Sequence, residues 1–167
     1  MLTAKGFAAP APNIALEPFT FNRREPGAKE VLIDIKFCGV CHSDIHQVRD
    51  EWGKGTYPMV PGHEIVGEII KVGSEVTAFK VGDLAGIGCF VDSCRTCPSC
   101  QKGLEQFCLT GATFTYNSAD KHLGGPTLGG YSSHIVVDEA FVLRVPENGL
   151  IALNVPLDPL RLGSNST

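Results

Sequence analysis

No run of lysines or arginines occurs anywhere in the chain, and acidic residues outnumber basic ones by 18 to 14. A clustered positive footprint is missing, so nucleic acid is not expected as a partner. The opening stretch MLTAKGFAAPAPNIALEP holds no continuous apolar segment, being interrupted by proline and asparagine. It suits neither a secretory signal nor a membrane span, which needs about 20 apolar residues. No membrane partner is expected, and a cytoplasmic chain with reduced thiols is the simplest reading. An even cysteine count is missing too. There are seven, so disulfide pairing alone would leave one over. Nor is there a bias towards disorder: 43% of residues are hydrophobic and 19% charged, as in ordinary globular chains. A length of 167 residues suits one domain able to bury a real core.

What is present is concentrated. CRTCPSCQKGLEQFC, from Cys94 to Cys108, holds four of the seven cysteines, three of them on a three-residue rhythm. A disulfide knot is disfavoured by the compartment and the odd count. An iron–sulfur cluster is conceivable, because bacterial ferredoxins also begin C-x2-C-x2-C. Their fourth cysteine follows after three residues and precedes proline, whereas here seven residues separate Cys100 from Cys108 and Leu109 follows. Four thiolates around one zinc need only a tight loop and a short return. Structural zinc on Cys94, Cys97, Cys100 and Cys108 is the favoured reading, with the lobe spanning 92–110.

Elsewhere the hydrophobic period is two. EVLIDIKFCGV alternates Val31, Ile33, Ile35 and Phe37 against Asp34 and Lys36, which predicts a half-buried strand. Pro26-Gly27 before it is a turn signal, so Ala15–Phe21 and Val31–Phe37 are expected to neighbour one another. EIVGEIIKVG predicts another strand, with Gly67 marking a bend or a close backbone approach. VGDLAGIGCF follows a Gly82-Asp83 turn, and GGYSSHIVVDEAFVLRVPE offers two more short strands. Helix is expected only at Ser43–Glu51, with Ser43 as N-cap, and at Pro98–Gly103. Short strands punctuated by glycine turns predict a mainly β chain folded as an irregular β-barrel. The polar end, LGSNST, is expected to fray.

A second constellation joins CGVCHSDIH (Cys38–His46) to PGHEIVGEIIKVG (Pro61–Gly73). Cys41, His63 and Glu64 are donors that zinc accepts, with His42 and His46 close by in sequence. Any one of them alone is more simply a buried or solvated side chain. Together they form a pattern.

Gly62-His63-Glu64-x2-Gly67-x5-Gly73-x2-Val76 resembles the signature of the zinc-containing medium-chain alcohol dehydrogenases, and Cys94/Cys97/Cys100/Cys108 resembles that family's structural zinc lobe. CGVCHSDIHQVRDEWG, YPMVPGHEIVGEI, VDSCRTCPSCQKGLEQFC and LGGYSSHIVV are most similar to the cinnamyl-alcohol-dehydrogenase-like, NADP-preferring branch. The likeness covers roughly residues 1–150, with two zinc signatures in the expected order. It implies a GroES-like β-barrel catalytic domain over 1–155 and interconversion of primary alcohols and aldehydes with NADP(H). It further implies Cys41 and His63 as ligands of a catalytic zinc, and Glu64 as a carboxylate able to swing onto that metal. Asp44 would orient His63. Ser43 would receive the alcohol proton and His46 pass it towards solvent. His42 would face the cofactor pyrophosphate, while Trp52 and Phe90 would line an apolar substrate pocket.

The likeness also implies parts that these residues do not supply. GIGCFV (Gly86–Val91) starts G-x-G, but Val91 stands where a third glycine belongs, so no dinucleotide fingerprint is present. The family's third catalytic-zinc ligand is a cysteine in a PLLCAG-like stretch. Here the chain reads NVPLDPLRLGSNST and has no cysteine after Cys108. A catalytic half without its cofactor domain is expected, with 156–167 as a tail, and self-association through the uncovered cleft. The other reading is a non-enzymatic zinc-binding β-barrel.

Overall fold

The computed structural model describes residues 1–146. The boundary expected at 155, the tail 156–167 and the sequence NVPLDPLRLGSNST lie outside the described residues.

The chain is mainly β. Five strands form its central sheet, in the order β8-β3-β4-β5-β9: β3 is Glu30–Gly39, β4 Glu64–Val72, β5 Leu84–Ile87, β8 His134–Asp138 and β9 Leu143–Arg144. All of its pairings are antiparallel. The strands expected from alternation at Val31, Ile65, Leu84 and Ile135 are therefore all present. Their inward side chains make the core, with Val31, Ile33 and Ile69 fully buried against Val137, Ile135 and Ile65. Burying each such side chain is worth about 1.5–3 kcal/mol. Gly67 does mark a close approach. A Cβ there would stand 2.4 Å from the carbonyl oxygen of Asp34, so the β3–β4 pair closes only around glycine.

Four expectations need correction. Strand β2 (Glu17–Arg23) does not neighbour β3. It pairs antiparallel with β1 (Leu2–Ala8), with Ala4 opposite Phe21. Gly27 and Glu30 explain why: they form a local turn, with Glu30 N–H bonded to Gly27 O at 3.2 Å and Gly27 N–H to the Glu30 carboxylate at 2.7 Å. That turn ends the connection short of a hairpin and leaves β3 to pair with β4 and β8. The β1–β2 ribbon instead joins the rest through backbone bonds such as Phe7 N–H to Tyr131 O, 2.9 Å, and Ser133 N–H to Lys5 O, 2.8 Å.

Strict alternation along β3 fails as well. Leu32 is buried together with Val31 and Ile33, and register shifts between Ile35 and Phe37 bring Cys38 inside. Helix α1 is His42–Val48, capped at Cys41 rather than Ser43, because the Asp44 carboxylate accepts the Cys41 N–H at 3.0 Å. The expected Pro98–Gly103 helix is only a 3-10 turn, Cys100–Lys102, ended by Gly103 in the left-handed region.

Strands β6 (Phe90–Asp92) and β7 (Thr113–Phe114) pair on either side of the cysteine-rich segment and hold it as a loop with a common stem. No helix among the described residues is long and apolar enough to cross a membrane.

Candidate metal centres

Cys94, Cys97, Cys100 and Cys108 converge, with their sulfurs all within 4.8 Å of one another. The Cys94–Cys100 and Cys97–Cys100 separations are 3.9 and 3.5 Å. A disulfide needs about 2.05 Å, so these contacts are not disulfides. Four thiolates at about 2.3 Å from a zinc would be about 3.8 Å apart. The donor set fits that ion.

The backbone prepares the sulfurs for negative charge. Cys97 N–H points at the Cys94 sulfur at 3.4 Å, Cys94 N–H at Cys108 at 3.4 Å, and Leu109 N–H at Cys97 at 3.5 Å. Backbone N–H groups of Thr96 and Cys97 pull the Cys94 thiol down to about 5. Thr110 holds Cys108 below the usual thiol range. Ser93 acts in the same sense on Cys100, but burial and the neighbouring thiols Cys97 and Cys108 outweigh it and push Cys100 up to about 11. Cys94 and Cys108 are thus drawn towards the thiolate and Cys100 away from it, an uneven set that one divalent ion would bring to a common charge.

The second centre follows from sheet topology. Antiparallel register sets Gly39, the last residue of β3, opposite Glu64, the first of β4. Cys41 lies just beyond the one strand and His63 just before the other, so the pairing alone brings them together. Ligand atoms of Cys41, His63 and Glu64 lie within 4.8 Å of one another. Ser43 sits between two of them: its hydroxyl donates to the Cys41 sulfur at 3.0 Å and lies 3.5 Å from His63 Nε2. Glu64 is exposed, whereas His63 is buried.

Asp44 organises this end of the sheet. It is 3% exposed, and its carboxylate accepts from Cys41 N–H at 3.0 Å, Gly62 N–H at 2.9 Å and the Tyr131 hydroxyl at 3.3 Å. Three donors compensate a charge that would otherwise be costly to bury. Its Oδ1 is also 3.3 Å from His63 Nδ1. That is ion-pair distance, yet the angle does not make a hydrogen bond, and Nδ1 is buried with no other partner. The approach turns Nε2 of His63 towards Ser43 and Cys41, as expected of an orienting carboxylate. Gly62 can offer its N–H because it takes φ +100°, and a Cβ there would strike the Tyr131 ring at 2.6 Å.

The remaining expected residues divide. His46 is not joined to Ser43. It pairs with Glu51 and stacks on Trp52, ring centroids 5.1 Å apart. Trp52 is 59% exposed and Phe90 packs against Phe114 at 5.0 Å. His42 is exposed at the start of α1. Sequence reasoning missed Tyr131 and Tyr116. The Tyr116 ring stacks on His63 at 5.8 Å, and burial and the nearby Asp44 charge push both phenols upward. Only long-range folding brings these tyrosines here, so no local signal marked them.

The profile of the alcohol dehydrogenase GroES-like domain matches residues 27–147. The chain belongs to that family. NADP-dependent alcohol dehydrogenase C of Mycobacterium tuberculosis is 57% identical over 147 residues, 88% of this chain and 42% of the relative. Aldehyde reductase YahK of Escherichia coli is 54% identical over 142 residues, 83% of this chain and 40% of its own. Among solved structures, a cinnamyl alcohol dehydrogenase from Helicobacter pylori complexed with NADP(H) aligns with TM-score 0.85 and 49% identity, covering 88% of this chain and 42% of that one. The chain spans about 42% of the length of these relatives.

Proposed function

We propose that this domain supplies the metal-binding and proton-handling half of an NADP-dependent, zinc-containing alcohol dehydrogenase acting on primary alcohols and aldehydes. One observation carries the reading: the Ser43 hydroxyl lies between Cys41 and His63, so an alcohol held at that centre would meet a proton acceptor at once. The named activities of the relatives support it.

Zinc held by Cys41 and His63, with Glu64 in reach, would supply Lewis acidity towards the substrate oxygen. The protein's own part is distinct. Asp44 fixes the ring orientation of His63 and the start of α1 together. Ser43 accepts the substrate's hydroxyl proton as it releases its own towards solvent. His46, on the same helix and beside Glu51, makes no bond to Ser43, so a proton passing between them travels through solvent. His42 faces the cofactor pyrophosphate, and Trp52 and Phe90 provide apolar surface for the carbon chain. Cys94, Cys97, Cys100 and Cys108 hold a zinc whose role is structural, because all four ligand positions are protein.

The nicotinamide must be held about 3–3.5 Å from the reacting carbon, and among the described residues only His42 is assigned to it. We expect the 167-residue chain alone not to oxidise NADPH. The test mixes zinc-loaded protein with NADPH, cinnamaldehyde and a separately expressed dinucleotide-binding domain from a related enzyme. NADPH oxidation in the mixture, lost in His63→Ala, is expected. No oxidation in a mixture shown by elemental analysis to hold two zincs per chain would instead support a non-enzymatic zinc-binding module.

A further inference from the structure

One well-formed cavity lies away from both metal centres. It has a volume of about 410 Å3 and opens between β2, the stem of the cysteine lobe, the 120–128 loop and β8. None of Cys41, Ser43, His63 or Glu64 lines it. Its size falls within the range of small-molecule pockets, roughly 300–1,000 Å3. Phe19, Phe21, Val91, Leu128 and Ile135 give it apolar walls.

Its charged lining is almost fully paired. Arg24 and His122 meet Glu30; Arg95 meets Asp92 and Asp138; Lys121 meets Asp92. Two loop N–H groups, of His122 and Leu123, both bond Oδ1 of Asp120, whose charge acts on Arg23 from beyond ion-pair distance. Arg23 is the exception. It has no carboxylate within 4 Å among the described residues, and its guanidinium makes only two bonds, both from Nη2, to Gly129 O at 3.0 Å and Ser132 Oγ at 3.1 Å. Nε is buried and has no acceptor.

Arg23 is half-buried where it borders the cavity, its Nε is sealed from water, and desolvation draws the guanidinium down to about 10. The ring of Phe21 lies 4.9 Å beneath the guanidinium and stacks on Phe19, which shields one face from water. Buried guanidinium groups are ordinarily matched by an anion or by a full set of acceptors.

We propose that this cavity is a binding site for a small organic monoanion, a carboxylate on an aromatic or aliphatic body, with Arg23 as its counter-charge. The carboxylate meets the guanidinium at Nη1, the nitrogen that bonds no protein group and is not sealed off as Nε is, and the apolar body covers Phe19, Leu128 and Ile135. A dianion is disfavoured, because Glu30, Asp92, Asp120 and Asp138 surround the single unpaired cation. The site is independent of the alcohol centre and of the function proposed for it.

Sodium benzoate is a suitable probe, with benzamide as its uncharged isostere. In the zinc-loaded 167-residue chain, titration followed by amide and arginine Nε NMR should be saturable and should move the Arg23 Nε–H signal. Benzamide should bind at least tenfold more weakly. Arg23→Gln should lose at least tenfold in benzoate affinity and Arg23→Lys less, while His63→Ala should leave it unchanged. Should Arg23→Gln fail to fold, the wild-type Nε–H response alone decides. An unmoved Nε–H signal, equal binding of benzamide, or benzoate binding abolished by His63→Ala and retained by Arg23→Gln would each overturn the proposal.

Discussion

The cysteine lobe and the cleft at Cys41 gather metal donors by opposite means. In the lobe all four ligands come from fifteen residues, and β6–β7 only closes the stem. At the cleft, Cys41 and His63 stand 22 residues apart and meet because β3 and β4 pair with Gly39 opposite Glu64. The lobe spends its whole coordination sphere on protein. The cleft offers Cys41, His63 and an exposed Glu64, and leaves room for something else. The difference predicts that the loop-built site will depend on a metal to keep its shape, whereas the sheet-built one will hold its shape without it.

The sharpest break between the two should come from Cys97→Ser. Zinc binding at four-cysteine sites contributes on the order of 10 kcal/mol to the fold it closes. The variant should lose the lobe's metal and gain proteolytic cuts between Asp92 and Thr110, while the core around Ile33 and Ile69 persists. An unchanged cleavage pattern would show that the cysteines do not hold the lobe. The converse change, His63→Ala, should cost the cleft more than a hundredfold in metal affinity, beyond the 10–100-fold typical of outer partners. Circular dichroism should stay unchanged and cleavage of the lobe no faster. Global unfolding on this substitution would mean that the sheet does not preform the cleft.

These contrasts also explain what the sequence disclosed. The convergence of Cys94, Cys97, Cys100 and Cys108 was legible to the residue, since the folding back of a short loop is a local property. Strands with branched residues, such as Val31–Ile35 and Ile65–Ile70, were legible for the same reason. Strand β1 was not. LTAKGFA buries Ala4, Gly6 and Ala8 by close approach, with Gly6 lying against the Tyr131 carbonyl, and small residues carry little periodic signal. Asp44 was recognised as a partner of His63, but its hold on Cys41, Gly62 and Tyr131 could only be seen once the chain had folded. The shift of the helix cap from Ser43 to Cys41 belongs to that same carboxylate.

Asp44→Asn therefore tests the join between ligand and scaffold. An amide can accept one of the two backbone N–H groups but presents an NH2 to the other, leaving a buried donor unmatched at about 1–3 kcal/mol. Denaturant unfolding should show that loss, and zinc or cobalt affinity at the cleft should fall 10–100-fold. The lobe should keep its metal. A variant with unaltered cleft affinity would reduce Asp44 to a helix cap. Gly67→Ala should also cost about 1–3 kcal/mol, from overpacking between β3 and β4, but with both metal contents unchanged.

The central claim is that one centre is closed and the other open. Zinc counted by elemental analysis during graded EDTA treatment of the folded 167-residue chain tests it most directly. The account predicts two classes: the cleft zinc leaves at low chelator, and about one zinc per chain remains until the lobe unfolds. Two zincs released together, with equal resistance, would contradict it.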